Sequence, residues 1–242
     1  MTEGDLAAGD DVAVTRAPLD RHTLVWIQPC ESERTYALAR DELRRDALRR
    51  WFANDWPLVV RRPDCVVRSD HVALGLPLPP SEGKHRLRFE VHNEAIGRFS
   101  PPLALDEAAL CLPRKWGRPL AELATRAMRC GVTLRVYGSM AWQALTGLDY
   151  VTAQSDVDLW WQPGDDAQLH RVLGIIARWE KRYGMPADGE IVFPSGAAVA
   201  SREWREQRSD DRVLVKRIGT LELVSRNTLA AALRSGGQRC TA

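Results

Sequence analysis

The sequence predicts a two-domain protein of the α/β (α+β) class, with a mixed sheet and helices in its C-terminal half and a smaller α+β domain before them. Strand-like and helix-like patterns alternate in the second half, whereas the first half combines short apolar strands with one amphipathic helix. Pro101-Pro102 and Pro113 separate the halves. We therefore expect an N-terminal domain at 21–112 and a second domain at 113–242, a division that suits a chain of 242 residues.

After its first 20 residues, the N-terminal half has sequence patterns that predict strands and a helix. Residues 1–20 are acidic, rich in Gly and Ala and without periodicity, which indicates a mobile tail. Apolar runs predict strands, and an apolar face that includes Leu48 and Trp51 predicts a helix. The predicted elements are a strand at 22–27, a helix at 33–52, a strand at 58–62 that Pro63 stops, and a strand at 85–91.

The C-terminal half is more regular. Gly131 marks the end of its first helix, and Pro194-Ser195-Gly196 marks the turn of a hairpin. Helices are predicted at 120–130, 140–145 and 163–184, and a short last helix is predicted from about residue 227. The predicted strands lie at 134–137, 156–161, 190–193, 197–200, 213–216 and 220–223.

Composition narrows the class of protein. A net charge of +2 does not favour electrostatic binding to nucleic acid or to an anionic membrane, and we expect neither as a partner. The five cysteines form no metal-binding or disulfide pattern, so we expect reduced thiols. No N-terminal signal pattern and no apolar run of about 18 residues is present. We therefore expect a cytoplasmic protein.

The central motif joins a Gly-Ser turn to a pair of carboxylates. Gly138 and Ser139 follow a predicted strand and open a short helix, an arrangement in which backbone N–H groups can hold a phosphate. Asp156 and Asp158 are spaced i, i+2 on the next predicted strand, so they lie on the same face. Hard carboxylate oxygens suit Mg²⁺. The motif predicts a triphosphate held beside Mg²⁺, with pyrophosphate as the leaving group.

Other residues complete the predicted site. Asp188 and Glu190 form a second i, i+2 pair, and either could be a third metal ligand. Glu190 is preferred because apolar residues follow it within the strand, and it could also act as a general base. Lys216, at the end of a strand, and Lys84, in a Gly-Pro-rich loop, are candidate phosphate contacts. Lysines in such positions are more often simply exposed at a strand end or in a loop.

The sequence resembles a known enzyme family. Gly138-Ser139 and the Asp156–Asp158 pair resemble the nucleotidyltransferase superfamily. The longer string from Val136 to Leu159 is similar to the malonate decarboxylase holo-[acyl-carrier-protein] synthase family, also called phosphoribosyl-dephospho-CoA transferase. The segments at 22–27, 56–62, 75–84, 188–190 and 213–216 extend the resemblance over nearly all of the chain after residue 20.

The resemblance implies a defined reaction, the attachment of a prosthetic group. The donor is 2′-(5″-triphosphoribosyl)-3′-dephospho-CoA, and the acceptor is a serine of the acyl-carrier subunit of malonate decarboxylase. Pyrophosphate is released, and the family's catalytic aspartates correspond to Asp156 and Asp158. A nucleotidyltransferase that uses an ordinary nucleoside triphosphate on a small molecule or another protein is the alternative, since a shared fold does not settle the substrate. A binding module that has lost the chemistry is a third interpretation.

Overall fold

The computed structural model describes residues 19–39, 41–206 and 211–236. Most of the predicted tail, residues 1–18, lies outside the described residues. Within them the chain forms two sheets with helices, which confirms the expected α/β (α+β) class. None of the described helices is long and apolar enough to cross a membrane.

The first sheet occupies the N-terminal half and is antiparallel throughout. Its described strands are β1 (Leu24–Ile27), β2 (Leu58–Val60), β3 (His71–Pro77), β4 (Arg86–His92) and β5 (Ile96–Ser100). They lie in the order β4-β3-β2-β1-β5. The helices α1 (Ser32–Ala37) and α2 (Glu42–Ala53) connect β1 to β2. Short 3-10 turns lie at Pro29–Glu31, Pro80–Glu82 and Asn93–Ala95.

The second sheet is mixed and carries the predicted motif. Its described strands are β6 (Leu103–Ala104), β7 (Arg135–Tyr137), β8 (Val157–Trp161), β9 (Ala187–Val192), β10 (Ala198–Ala200), β11 (Arg212–Lys216) and β12 (Leu221–Ser225). They follow the order β12-β11-β10-β9-β8-β7-β6. Strands β8 and β9 pair in parallel, which requires a crossover, whereas the other described neighbours are antiparallel.

The helices of the second half cover this sheet and make the crossover. They are α3 (Leu105–Cys111), α4 (Arg114–Met128), α5 (Gly138–Thr146), α6 (Asp166–Tyr183), α7 (Ser201–Glu206) and α8 (Arg226–Gly236). The crossover helix is α6: the side chain of Asp165 accepts a hydrogen bond from the backbone N–H of Gln168 at its start, and Gly184 ends it in a left-handed conformation. This connection fixes β9 beside β8.

The described residues form two hydrophobic cores, and the second half contributes to both. Most of the second half packs around Trp161, Trp179 and Phe193. Trp142 of α5 and Tyr150, however, pack in the first core with Trp51. The hydroxyl of Tyr150 donates a hydrogen bond of 2.7 Å to the carbonyl oxygen of Pro77. The two sheets are therefore joined by a shared apolar region.

The structure differs from the expected elements in the first half. The single helix expected at 33–52 is two helices, because the side chain of Asp41 accepts a hydrogen bond from the backbone N–H of Arg44 and starts a new helix. Strand β6 and helix α3 lie between Pro101-Pro102 and Pro113, the prolines that were expected to separate the halves. Because β6 pairs with β7 and Leu105 is buried in the second core, the sheets divide at residues 101–102, about ten residues before the expected boundary.

Candidate active site

The Gly-Ser turn meets the carboxylates directly. Strand β7 ends at Tyr137, which pairs with Asp158 in the antiparallel register, and helix α5 starts at Gly138. Gly138 has φ +66°, and a Cβ atom at this position would overlap the carboxylate of Asp158. A residue with a side chain would therefore be strained in this backbone conformation and would have to displace the carboxylate of Asp158. Ser139 is half-buried in the first turn of α5.

The two predicted catalytic aspartates lie where strand β8 begins. Val157, Leu159 and Trp161 are buried in the second core, so Asp158 lies on the opposite face of the sheet. Asp156 precedes the strand by one residue and has the same parity as Asp158. The segment before it is fixed by Gln143, whose side-chain oxygen accepts hydrogen bonds from the backbone N–H groups of Tyr150 and Val151. The prediction that both carboxylates share a face agrees with this arrangement.

Asp188 lies beside Asp158 on the neighbouring parallel strand. The register pairs these two residues directly, so their side chains lie on one face of the sheet. Among the described residues, Asp188 Oδ1 is buried and has no hydrogen-bond partner. Burial, followed by the charges of Asp156 and Asp188, raises the pKa of Asp158 to about 7, and Arg86 opposes this increase. The carboxylates thus repel one another, and the charge of Arg86 offsets only part of this repulsion.

Gly189 allows this close pairing of strands. It lies between Asp188 and Glu190, has φ +138°, and a Cβ atom there would overlap the backbone of Leu159. A glycine is therefore needed where β9 approaches β8.

The acidic residues fit a divalent cation by their chemistry, although the described residues do not form a closed metal cage. No group of three or more His, Cys, Asp or Glu side chains in the described part of the chain is close enough together to hold a metal ion. The unpaired Oδ1 of Asp188 and the crowded carboxylate of Asp158 are nevertheless oxygen donors of the kind that Mg²⁺ takes. Asp158 and Asp188, which the register pairs, would supply oxygens to such an ion, with Asp156 two residues before Asp158.

Glu190 has different surroundings from the aspartates. Its side chain is 4% exposed and is surrounded by basic groups. Arg21 Nη1 lies 3.0 Å and Lys216 Nζ 3.5 Å from Oε1, and His22 Nε2 lies 3.3 Å from Oε2. Burial alone would raise the pKa of Glu190, but the hydrogen bond from His22 and the charges of His22, Arg21 and Lys216 lower it to about 2.

These contacts decide what Glu190 can do. A carboxylate with a pKa near 2 is a weak general base at neutral pH, and its oxygens already contact basic groups. The geometry therefore does not favour Glu190 as the third metal ligand, and Asp188 is the better candidate. Lys216 does reach the site, where its ammonium group contacts Glu190.

Arg21 and His22 were missed as site residues in the sequence. His22 has φ +68°, unusual for a residue with a side chain, and its ring stacks on that of Tyr137 with centroids 4.0 Å apart. Its contact with Glu190 joins residues 168 positions apart. The only available signal was that His22 begins a matching segment of the resemblance, which gave no hint of its contacts.

The structure does not bring Lys84 into the acidic cluster. Lys84 is exposed in the connection between β3 and β4, with φ +55°, and its ammonium group makes no ion pair among the described residues. Arg86, the first residue of β4, is the cation of this segment whose charge acts on Asp158. Trp142, on the short helix α5 that follows the turn, is buried, with its ring centroid 6.0 Å from that of Trp51.

Comparison with known proteins identifies the family. Models of the N-terminal and C-terminal domains of phosphoribosyl-dephospho-CoA transferase MdcG match residues 20–102 and 103–227. A curated phosphoribosyl-dephospho-CoA transferase of Xanthomonas campestris pv. campestris is 40% identical over 210 residues, which cover 86% of this chain and 95% of the relative. One of Bradyrhizobium diazoefficiens is 39% identical over 212 residues, covering 87% of this chain and 92% of the relative.

No solved structure was found to match the chain. The family models together span both sheets, and they meet at residues 102 and 103, where the two sheets divide. The chain therefore belongs to the phosphoribosyl-dephospho-CoA transferase MdcG family, a family of transferase enzymes.

Proposed function

We propose that this protein transfers the phosphoribosyl-dephospho-CoA group from 2′-(5″-triphosphoribosyl)-3′-dephospho-CoA to a serine on the apo acyl-carrier subunit of malonate decarboxylase. A bond forms between the serine Oγ and the innermost phosphorus of the donor's triphosphate. The bond from that phosphorus to the bridging oxygen breaks, pyrophosphate leaves, and the hydroxyl proton is released to solvent. The product is a carrier with its prosthetic group attached through a phosphodiester.

One observation carries the proposal: in a member of this family, Asp158 lies against the Gly138 turn and is paired with Asp188 on the neighbouring strand. The turn presents the backbone at the start of α5, where the helix dipole favours a phosphate. The acidic pair lies next to it on the same side of the sheet. Phosphoryl transfer depends mostly on positioning and on charge stabilisation, which the start of α5 and a cation held by the carboxylates would supply.

Mg²⁺ is the proposed cofactor, with Asp156, Asp158 and Asp188 as its ligands. The unpaired Oδ1 of Asp188 and the raised pKa of Asp158 support this assignment. When bound, a divalent cation would neutralise part of the charge on the triphosphate. Gly138 and Ser139 would hold the phosphate from the backbone side. Asp188 takes the place that the sequence favoured for Glu190.

The proposed setting is the cytoplasm, without a nucleic-acid or membrane partner. Cys30, Cys65, Cys111 and Cys130 are free thiols in the structure, which suits a reducing compartment. The acyl-carrier subunit is the proposed protein partner.

The mass of the carrier subunit tests the proposed reaction. The protein is incubated with Mg²⁺, the triphosphoribosyl-dephospho-CoA donor and the apo carrier, and the carrier is then weighed. We expect a gain equal to the donor minus pyrophosphate, and no gain on a carrier whose acceptor serine is alanine. If the carrier gains no mass, and pyrophosphate is released instead from an ordinary nucleoside triphosphate, the general nucleotidyltransferase alternative replaces this proposal.

A further inference from the structure

The basic groups around Glu190 carry more charge than one carboxylate can balance. Arg21 and Lys216 are cations at neutral pH, and their nearest described acid is Glu190, with which both share the single oxygen Oε1. Arg21 Nη2 also lies 3.4 Å from the ring nitrogen of His22. The group formed by Arg21, His22 and Lys216, called here the basic cluster, is therefore net positive even with Glu190 ionised.

The hydrogen-bonding capacity of this cluster is not used up. Arg21 Nη1 is 3.0 Å from Glu190 Oε1 but is not aligned as a hydrogen bond, and among the described residues this nitrogen is buried without a hydrogen-bond partner. The Arg21 side chain is 21% exposed and that of Lys216 is 32% exposed. Both side chains are thus partly buried beside Glu190 yet retain contact with solvent, where an anion could reach them.

The basic cluster lies next to the acidic pair. Glu190 follows Asp188 by two residues on β9, so the two side chains lie on one face, about 6.5–7 Å apart along the strand. Tyr137 lies between the groups: its ring stacks on that of His22, with centroids 4.0 Å apart, and its backbone pairs with Asp158 across β7 and β8. The site therefore has an acidic part and a basic part side by side.

This division suits a triphosphate whose outer two phosphates leave as one anion. The acidic part would hold the proposed Mg²⁺ beside the phosphorus that is attacked. The outer phosphates need fixed positive charge, because charge develops on the bridging oxygen as its bond breaks. An arginine fork and a lysine ammonium are the groups that proteins use for such oxygens.

We propose that Arg21 and Lys216, with His22 beside them, form the subsite that binds the pyrophosphate portion of the donor and holds it as it leaves. This inference rests on the proposed function, because it assumes a triphosphate donor. Glu190 is then a positioning residue, which holds Arg21 and Lys216 toward the acidic pair. The N-terminal domain thereby supplies a residue that contacts the substrate, although the turn and the carboxylates lie in the C-terminal domain.

Calorimetric titration with inorganic pyrophosphate, in buffer containing Mg²⁺, tests the subsite without turnover. We expect Arg21→Gln and Lys216→Gln each to weaken pyrophosphate binding about tenfold or more, as expected for the loss of a charge-assisted contact. Arg21→Lys, which keeps the charge but loses the fork, should recover part of the affinity. Lys216→Gln serves where Arg21→Gln folds poorly, because Lys216 is the more exposed of the two.

Arg61→Gln is the matched control. The Arg61 side chain is 19% exposed and its guanidinium pairs with Asp64 at 3.0 Å, so its environment resembles that of Arg21 in the same domain but away from Glu190. We expect this variant to bind pyrophosphate as the unmodified protein does. Affinities within twofold of the unmodified protein for folded Arg21→Gln and Lys216→Gln would show that the basic cluster is an ion pair between domains and nothing more.

The titration also separates this inference from the proposed function. If the unmodified protein binds no pyrophosphate, the subsite is overturned even where the carrier gains its expected mass. If pyrophosphate binds through Arg21 and Lys216 but the carrier gains no mass, the subsite stands and the proposed donor or acceptor is wrong.

Discussion

At the scale of single residues, the surroundings of Asp158 destabilise the ionised form of its carboxyl group. Its pKa, raised to about 7 by burial and by Asp156 and Asp188, means that ionising this group costs the folded protein free energy. The unfolded chain, with a pKa near 3.8, ionises freely. The cost is therefore absent below about pH 4, grows as the pH rises to 7, and is constant above that.

Asp158→Asn should separate stability from activity. We expect the variant to lose carrier modification, and yet to gain on the order of 1–3 kcal/mol in free energy of unfolding at pH 8 in EDTA. Denaturant melts at pH 8 and pH 4 measure this gain, which should disappear at pH 4. Asp149→Asn, an exposed change in the preceding segment, should alter neither property. If Asp158→Asn were no more stable than the parent at pH 8, ionised Asp158 would not be destabilised by burial and by its neighbouring carboxylates.

Gly138 gives a second prediction at this scale. Gly138→Ala should abolish carrier modification and destabilise the protein, because its Cβ would displace the carboxylate of Asp158. Gly147→Ala is a matched control: Gly147 has φ +73°, but a Cβ atom added there would meet nothing within 4 Å. We expect that change to cost about 1 kcal/mol in stability and to leave activity intact. Equal losses of activity in both variants would show that backbone strain, not contact with Asp158, matters at Gly138.

Glu190 gives a prediction with the opposite dependence on pH. Its pKa of about 2 lies below the ordinary value of 4.5, so its contribution to stability is complete above about pH 4.5 and is lost as the pH falls toward 2. Glu190→Gln should lower the free energy of unfolding by about 2–4 kcal/mol at pH 7, since it leaves the partly buried cations Arg21 and Lys216 without their carboxylate. The difference from the parent should shrink between pH 4.5 and 2. A difference that is the same at pH 7 and pH 2.5 would exclude the ion pairs as its cause.

At the scale of elements, the sequence indicated the motif well because its signals are local. A strand, a Gly-Ser turn, a helix and a strand with Asp156 and Asp158 follow one another in a short stretch, and period-2 alternation fixes the shared face. The position of Asp188 beside Asp158 depends on the parallel register across α6. That register has no local signature, which is why Glu190 was preferred over its neighbour.

Other features could not be predicted from the sequence because the residues that they contact are distant in the chain. Strand β6 has two residues and exists through its pairing with β7, about thirty residues later. The contacts of Arg21 and His22 with Glu190 join the two sheets, and the His22–Glu190 pair spans 168 positions of the chain. The break between α1 and α2 was in principle visible in Asp41, a good N-cap residue, but the continuous apolar face concealed it.

Helix α5 joins the two cores, and Trp142 tests that role. Trp142→Ala should cost about 3–5 kcal/mol in free energy of unfolding, because it leaves a cavity against Trp51 in the first core. Denaturant unfolding followed by tryptophan fluorescence measures the loss. Leu110→Ala, on the adjacent helix α3 but exposed, should cost less than about 0.5 kcal/mol. A similarly small cost for Trp142→Ala would mean that α5 does not hold the domains together.

At the scale of the whole molecule, the contacts between the two sheets should make unfolding cooperative. Trp142 and Tyr150 of the second half are buried in the core of the first, and Arg21 and His22 of the first half contact Glu190 in the second sheet. We expect a single calorimetric transition whose calorimetric and van't Hoff enthalpies agree. Two resolved transitions would show that the domains fold independently and that these contacts contribute little.

The contact between Arg21 and Glu190 has a consequence for biosynthesis. The residues placed around the site run from Arg21 to Lys216, so a ribosome must translate through residue 216 before they can assemble. A nascent chain that ends with the first sheet contains Arg21 and His22 but none of the carboxylates of the second sheet. A translation product truncated before β9 therefore lacks both Asp188 and Glu190, and the two parts of the site cannot meet in it.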